Sequence, residues 1–148
     1  MASRTSVILV SCLWQEYNHW RGDHEHKLIS SLNKFLFLAR PYADIMWCKD
    51  HANEIHESHN VQPEDYKFYD TQEIIYNWNN IYVCGYHADK CCESKGWGTL
   101  TIGLKGIRTK LIEDLTVWWN HPPTETALSI SARYADLVKS SSVLSSIC

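Results

Sequence analysis

The stretch "NIYVCGYHADKCCESKG", residues 80–96, ends a short apolar run at Gly85 and then places two cysteines side by side. The run Ile81–Cys84 has the apolar, β-branched character of a strand that is buried on both faces. In open sheets of parallel strands, ligands bind beyond the carboxyl ends of the strands. The segment that follows Gly85 is therefore where a functional site is expected.

Short strand-like runs alternate with helical stretches along the rest of the chain. We predict strands at 6–12, 43–48, 81–85, 109–114 and 135–140. We predict helices at 27–40, 71–79, about 90–104 and 124–135, and an irregular loop at 49–70. Strand–helix alternation of this kind predicts an α/β fold with three layers, in which a mostly parallel sheet lies between helices.

Length and composition set the class of protein. A chain of 148 residues suits a single domain, 1–148, with its own hydrophobic core. The net charge is −3 and the cations are scattered, so we expect no nucleic-acid partner. The apolar runs are too short to span a bilayer, and the first residues lack the pattern of a signal peptide. We therefore expect a cytoplasmic protein that does not bind membranes.

The cysteines do not form a secreted disulfide framework. Six are present and none stands in a C-x-x-C pair, so a zinc knuckle or a thioredoxin motif has no support. Cys12, Cys48 and Cys84 each lie in or at the end of an apolar, strand-like run. Free cysteine is among the most buried residue types, and these three are expected to be reduced core thiols.

Cys91 is the candidate nucleophile. If a helix begins near Asp89, Cys91 lies in its first turn, where the free N–H groups and the helix dipole favour a thiolate. The same N–H groups could hold an oxyanion. Cys92 points about 100° away around the helix and is expected to be a core residue. The alternative is that both thiols only pack against the sheet.

The segment "IYVCGYHADKCCES" resembles the nucleophile segment of the isochorismatase-like cysteine hydrolases, a family that includes nicotinamidases. Gly85 and Cys91 keep the family's six-residue separation, and Asp89 occupies its polar position. Ala88 replaces a hydroxyl residue and Cys92 replaces a valine. The resemblance also places a non-proline cis peptide bond after the glycine, between Tyr86 and His87.

Further segments are similar to the family in the same order along the chain. They are "SVILVSCLWQEY" and "HKLISSLNKFLFLAR" before the nucleophile, and "GIRTKLIEDLT" and "HPPTETALSISARYADLVKSSSVL" after it. The resemblance implies an isochorismatase-like fold of the Rossmann-like kind. It also implies a homo-oligomer that pairs through helices and loops near the site.

The resemblance implies a triad of aspartate, lysine and cysteine, in which cysteine attacks an amide or a related electrophilic centre. Cys91 is then the nucleophile and Lys67 the cation. The family's aspartate ends the first strand, but here that position falls on Leu13 or, with a slip of one residue, on Cys12. Glu16 is the carboxylate that we assign as the base, with Asp23 as the other nearby carboxylate.

Trp14, His87 and Ala88 are the residues that we expect to contact a substrate. For His87 the alternative is a structural hydrogen bond. No cofactor is assigned. His51, His56 and His59 follow the second predicted strand, and imidazole groups suit Zn²⁺ or Fe²⁺, but histidines in a solvated loop are more often without a metal.

Two functions follow from these residues. The first is a diverged cysteine hydrolase that acts on a small amide or a related metabolite. The second is a catalytically silent member of the family that binds a small molecule or a protein partner. The glycine-to-cysteine spacing favours the first function, and the lack of the family's aspartate favours the second.

Overall fold

The computed structural model of the chain describes residues 4–11, 23–48, 59–86, 91–117 and 129–130. Within these ranges the elements, in chain order, are β1 (Ser6–Ser11), α1 (Asp23–Ala39), β2 (Asp44–Cys48), β3 (Tyr66–Lys67), α2 (Thr71–Asn77), β4 (Asn80–Tyr86), α3 (Cys91–Ser94), α4 (Thr99–Gly103), β5 (Thr109–Val117) and β6 (Ser129–Ile130).

The strands form one parallel sheet in the order β3-β2-β1-β4-β5-β6. The chain first builds outward from β1 through β2 to β3, and then crosses to β4 on the other side of β1. The direction of strand order therefore reverses between β1 and β4, and in open α/β sheets the ligand crevice is located at such a point, beyond the carboxyl ends of the strands. The predicted α/β fold with a mostly parallel sheet is confirmed.

Both faces of the sheet are covered. Paired residues of neighbouring parallel strands share a face, and successive residues alternate between faces. Asp44 and Ser11 point to one face, where they accept hydrogen bonds from the indoles of Trp78 and Trp97. Trp47 points to the other face, where its indole donates to the carboxylate of Asp65. The guanidinium of Arg40, just after α1, donates to the same carboxylate.

The apolar stripe predicted for α1 packs into the core. Its five predicted positions are all buried: Leu28, Leu32, Phe35, Leu36 and Ala39. Every residue of β1 is buried as well, as expected for a central strand with helices on both faces. Full burial of such a side chain contributes about 1.5–3 kcal/mol, so the apolar core to which α1 and β1 both belong is a main source of stability.

The pairing of β4 with β5 is interrupted near the carboxyl edge. Val83 pairs with Leu111, but Gly85, two residues later, pairs with Thr116, which is five residues beyond Leu111. The extra residues of β5 form a bulge beside Gly85, and the hydroxyl of Thr116 donates to the carbonyl of Glu113 across it at 2.8 Å. Bulges of this kind redirect side chains near binding sites.

The single helix predicted to end at residue 104 is wrong, because two short helices, α3 and α4, stand in its place. The chain turns between them through a hydrogen bond from the N–H of Gly98 to the carbonyl of Lys95 at 2.7 Å. A Cβ atom at Gly98 would lie 2.3 Å from the carbonyl oxygen of Glu93. Only glycine allows so close a return of the chain.

Two other expectations need correction. The segment 49–70, predicted to be a loop, contains the two-residue strand β3 at the edge of the sheet. The helix predicted over 124–135 is wrong at 129–130, because these residues pair with Leu111 and Ile112 as β6. Both strands are set by backbone pairing to a neighbour and are too short for a period of two to identify them.

The strand predicted at 135–140 lies outside the described residues. No helix within the described ranges is long and apolar enough to cross a membrane.

Candidate functional site

The crevice between β1 and β4 is built around a close backbone approach. Gly85 has φ of 99°, a conformation that side chains rarely adopt. A Cβ atom at this position would lie 2.4 Å from the carbonyl oxygen of Ser11 and 2.9 Å from its nitrogen. Glycine therefore ends the buried run of β4 for a steric reason, which the sequence pattern alone did not identify.

Ser11 is the residue of β1 that lies level with Gly85. Its side chain is completely buried, and its hydroxyl accepts a hydrogen bond from the Trp97 indole at 2.7 Å. At the level of the crevice, β1 therefore presents a neutral hydroxyl that is already hydrogen-bonded. Leu13 and Cys12, the two positions considered for the family's aspartate, lie outside the described residues.

Trp97 is held in place from two directions. Phe68, which follows β3, packs edge-to-face against its indole with ring centroids 4.8 Å apart. The hydroxyl of Thr71 donates to the carbonyl of Gly96 at 2.8 Å, next to Trp97 in the chain. The segments that follow β3 and α3 are thus fixed over the end of β1, where Trp97 is almost fully buried.

Cys91 is the first residue of α3 and follows β4, as predicted. Its side chain is half-buried and packs against the hydrophobic core. Within the described residues, which resume at Cys91, this helix has four residues, Cys91–Ser94. The dipole of a helix is a sum over aligned peptide units, so one turn supplies little of the stabilisation that a longer helix would give to a thiolate.

The other described cysteines are core thiols. Cys48, Cys84 and Cys92 are buried, as predicted, and none of the described cysteines forms a disulfide. Burial raises the pKa of the Cys84 thiol far above its ordinary value. Burial, together with neighbouring thiols, also raises the pKa of Cys48 and of Cys92. These three groups are protonated at neutral pH and are poor nucleophiles.

Cys92 contacts the strand beneath it. Its thiol donates to the carbonyl of Cys84 at 3.7 Å, and a hydrogen bond with Ser11 partly offsets the effect of burial on its pKa. The core role that the sequence predicted for Cys92 is confirmed.

Lys67 lies at the far side of the sheet. It belongs to the edge strand β3, pairs with Trp47 of β2, and is exposed. Three strand spacings, about 14 Å, separate β3 from β4. Through the strand pairing, Lys67 lies level with Cys84 across the sheet, and β2 and β1 separate the two residues. Its assignment as the cation of the site stays a prediction.

The remaining predicted site residues lie outside the described ranges. They are Glu16 as the base, and Trp14, His87 and Ala88 as substrate contacts. His51 and His56 lie outside as well. His59 is described, and it is buried with its ring 5.2 Å from that of Trp47. The described residues contain no group of three or more metal-ligating side chains that could hold an ion.

A charged cluster that the sequence analysis missed stands at the end of α1. The guanidinium of Arg40 forms an ion pair with Asp65, which also accepts hydrogen bonds from the indole of Trp47 at 2.7 Å and from the N–H of Gln62 at 2.9 Å. Burial disfavours the charge of Asp65, but these donors outweigh it and lower the pKa of the carboxyl. No local sequence motif predicts the ion pair of Arg40 and Asp65, because the two residues are 25 positions apart in the chain.

Two hollows in the described surface lie away from the crevice. One, of about 460 Å³, lies between α4 and the start of β5. The other, of about 300 Å³, lies where β2 begins, near Arg4 and Asp44. Both are at the amino ends of the strands, whereas the crevice of this fold is at the carboxyl ends.

The strand order and the reversal between β1 and β4 define the molecule as a doubly wound α/β protein. A scan against protein-family models finds no match, and a search of curated proteins finds none. Among solved structures, a putative MAR1 ribonuclease from Leishmania major is similar, with a TM-score of 0.59 and 10% sequence identity. The match covers 98% of this chain and 92% of that one.

Proposed function

We propose that this chain is a catalytically silent α/β module that binds a small molecule in the crevice between β1 and β4. One observation carries the proposal. Ser11, the residue of β1 level with Gly85, is neutral, completely buried and already hydrogen-bonded to Trp97. The position of the aspartate in the cysteine hydrolases comes one or two residues later and falls on Cys12 or Leu13, neither of which is a base.

The chemistry of a cysteine nucleophile explains why this matters. A thiol attacks as the thiolate, so it needs a nearby base or an environment that lowers its pKa. Cys12 and Leu13 supply no base, and the single helical turn described from Cys91 onward supplies little dipole. Loss of a general base typically costs about 10²- to 10⁴-fold in rate.

The crevice itself is retained as a binding site. Gly85 allows a close backbone approach to Ser11, and Trp97 and Phe68 pack together over the carboxyl edge of the sheet. Ligand sites in proteins are concave and mostly apolar, with a few fixed polar groups, and in this fold they occur where the strand order reverses. These features support a small-molecule ligand over a protein partner.

A hydrolase is the second candidate, and one observation favours it. Cys91 follows β4 and is half-buried, unlike the three fully buried thiols around it. The six-residue separation from Gly85 is the spacing of the isochorismatase-like nucleophile. In that case Glu16 would be the base, and Lys67 the cation.

The ribonuclease name of the structural neighbour is not carried over to this chain. At 10% identity the likeness concerns the fold. The net charge of −3 also gives no reason to expect binding to a phosphate backbone.

The test uses nicotinamide and benzamide, two small aryl amides, with the full chain and its Cys91→Ser variant. Ligand-observed NMR reports binding, and the same spectra report any free carboxylic acid. We expect saturable binding to both proteins and no acid above the buffer blank. Acid that forms with the wild type and not with Cys91→Ser would establish the hydrolase, and no binding by either protein would refute the small-molecule site.

A further inference from the structure

The hollow at the amino edge of the sheet has a mixed chemical character. Its volume of about 460 Å³ lies within the range of small-molecule sites, about 300–1,000 Å³. Its walls are mainly apolar. It is lined by residues of α4, of the following turn and of the start of β5: Thr99, Leu100, Gly103, Leu104, Gly106, Ile107, Arg108 and Thr109.

Two cations stand at this hollow. Arg108 is one of its lining residues, and Lys105 lies in the turn between Leu104 and Gly106, which also line it. Both cations are exposed, and neither forms an ion pair with any residue of the described ranges. No acidic residue occurs in the sequence between Glu93 and Glu113. The sequence from 94 to 112 therefore carries a net positive charge, in a chain whose net charge is negative.

The backbone at this rim is fixed in advance. The carbonyl of Arg108 accepts a hydrogen bond from the N–H of Ile81 at 3.3 Å, which ties it to β4. In the turn, the N–H of Gly106 donates to the carbonyl of Gly103 at 3.0 Å. Gly106 has φ of 77°, which sets the direction of the turn. A site that is formed before binding loses less entropy when a ligand arrives.

We propose that this hollow binds a small organic anion with an apolar body, such as an aryl carboxylate. The guanidinium of Arg108 pairs with the carboxylate, which its fork of N–H groups fits in two-point geometry. Leu104, whose side chain is 87% exposed, and Ile107 contact the ring. The site lies at the opposite edge of the sheet from the crevice, so it does not depend on the function proposed there.

The chain supplies a matched control for the charge of Arg108. Lys110 is two residues further along β5, and its neighbour Thr109 is a lining residue of the hollow. Lys110 lies within β5 and is not among the residues that line the hollow, whereas Arg108 comes just before the strand and is one of them. Lys110→Gln and Arg108→Gln remove the same charge from the same strand region, but only Arg108 lines the hollow.

The experiment is an NMR titration of the ¹⁵N-labelled full chain. The probes are 2-naphthoate, its neutral isostere 2-acetonaphthone, and acetate, which has the charge but no ring. We expect 2-naphthoate to shift the amide signals of Gly103, Gly106 and Arg108 in a saturable way, and to bind about tenfold tighter than either other probe. Arg108→Gln should abolish the preference for the anion, and Lys110→Gln should change the affinity less than twofold.

Several results would overturn the proposal. One is the absence of saturable shifts at these amides in the wild type. Another is equal affinity for 2-naphthoate and 2-acetonaphthone, which would make the hollow an apolar site without anion selectivity. A third is an equal loss of affinity in Lys110→Gln and Arg108→Gln, which would reduce the effect to net charge. The two variants replace surface cations, and their amide spectra report directly whether they are folded.

Discussion

Two corners of the sheet are built in different ways. At the crevice between β1 and β4, the contacts are neutral: a glycine against a backbone, a serine hydroxyl under an indole, and buried thiols. At the corner where α1 meets β2 and β3, a buried carboxylate is held by a guanidinium, an indole and a backbone N–H. The charged group with the lowered pKa is therefore not at the crevice.

An ionisable side chain can serve catalysis or can stabilise the fold, and the two corners help to tell these roles apart. A strongly perturbed carboxyl in a cleft is a candidate for catalysis, but structural ion pairs perturb pKa values as well. Asp65 joins α1 to the edge of the sheet and lies away from the predicted nucleophile. Steric contact and neutral hydrogen bonds shape the crevice, which agrees with a binding role.

The largest expected effect is that of Gly85→Ala. The new Cβ would lie 2.4 Å from the carbonyl oxygen of Ser11, in a backbone conformation that disfavours side chains. Because both partners are backbone, the clash has no flexible side chain to relieve it, and the loss should reach about 4 kcal/mol or more. Chemical denaturation measures it.

Gly103→Ala is the matched control, since its Cβ would lie 3.7 Å from a methyl group of Thr109 and its φ is ordinary. This variant should be as stable as the wild type within about 1 kcal/mol. If the two variants unfold at the same denaturant concentration, the close approach at the crevice is not as described.

Removal of the charge at the other corner should have the next largest effect. Arg40→Gln leaves Asp65 with its indole and backbone donors but without its ion-pair partner, and the expected loss of unfolding free energy is about 2 kcal/mol. Lys34→Gln, an exposed cation on the same helix, should change stability by less than about 0.5 kcal/mol. If Arg40→Gln lowers the free energy of unfolding no more than Lys34→Gln does, the ion pair of Arg40 and Asp65 is screened by solvent.

The same corner predicts a dependence on acid. The pKa of Asp65 is lower in the folded state than in the unfolded chain, where it is about 3.9. The ionised carboxylate therefore stabilises the fold at pH values above the unfolded pKa, and this stabilisation is lost as the pH falls through the folded pKa. Thermal unfolding between pH 7 and pH 2 should show a loss below about pH 4 that is smaller in Arg40→Gln. Identical acid profiles would contradict this assignment.

A smaller effect is expected at the wall of the crevice. Trp97→Phe keeps the aromatic contact with Phe68 but removes the N–H that donates to Ser11, leaving a buried hydroxyl without that bond. The expected cost is about 1–2 kcal/mol. A cycle with Ser11→Ala isolates the hydrogen bond, and a coupling near zero would mean that Trp97 stabilises the crevice by packing alone.

The smallest effect is expected to be a gain. The hydroxyl oxygen of Thr109 is buried and has no hydrogen-bond partner within the described part of the chain. Thr109→Val removes this polar group with little change of shape, and valine suits a strand. Unfolding free energy should rise by about 1 kcal/mol. A decrease would show that the hydroxyl is satisfied, for example by water.

Periodic and continuous apolar patterns predicted the large elements well. The apolar stripe of α1 and the apolar run of β1 are long enough that the order of residues in the sequence shows which positions are buried. The break between α3 and α4 was not predictable, because it depends on how closely Gly98 approaches the carbonyl of Glu93. Strands of two residues, such as β3, carry no period at all.

The crevice was predicted in outline and not in its chemistry. The sequence predicted a strand that ends at Gly85 and a helix whose first turn contains Cys91; β4 continues one residue further, to Tyr86, and Cys91 lies in the first turn of α3. That Ser11 stands opposite Gly85 required the register between two strands about 75 residues apart, which no local pattern contains. The Trp97 indole reaches Ser11 across 86 residues and was missed for the same reason.

The rate of alkylation of Cys91 as a function of pH tests the central claim most directly. Iodoacetamide reacts with the thiolate, and peptide mass spectrometry assigns the product, with Cys91→Ser as the blank. A silent crevice predicts that Cys91 is alkylated no faster than a free model thiol, such as N-acetylcysteine, at every pH. A fast rate that is already level at pH 7 would reveal a stabilised thiolate and contradict a silent crevice.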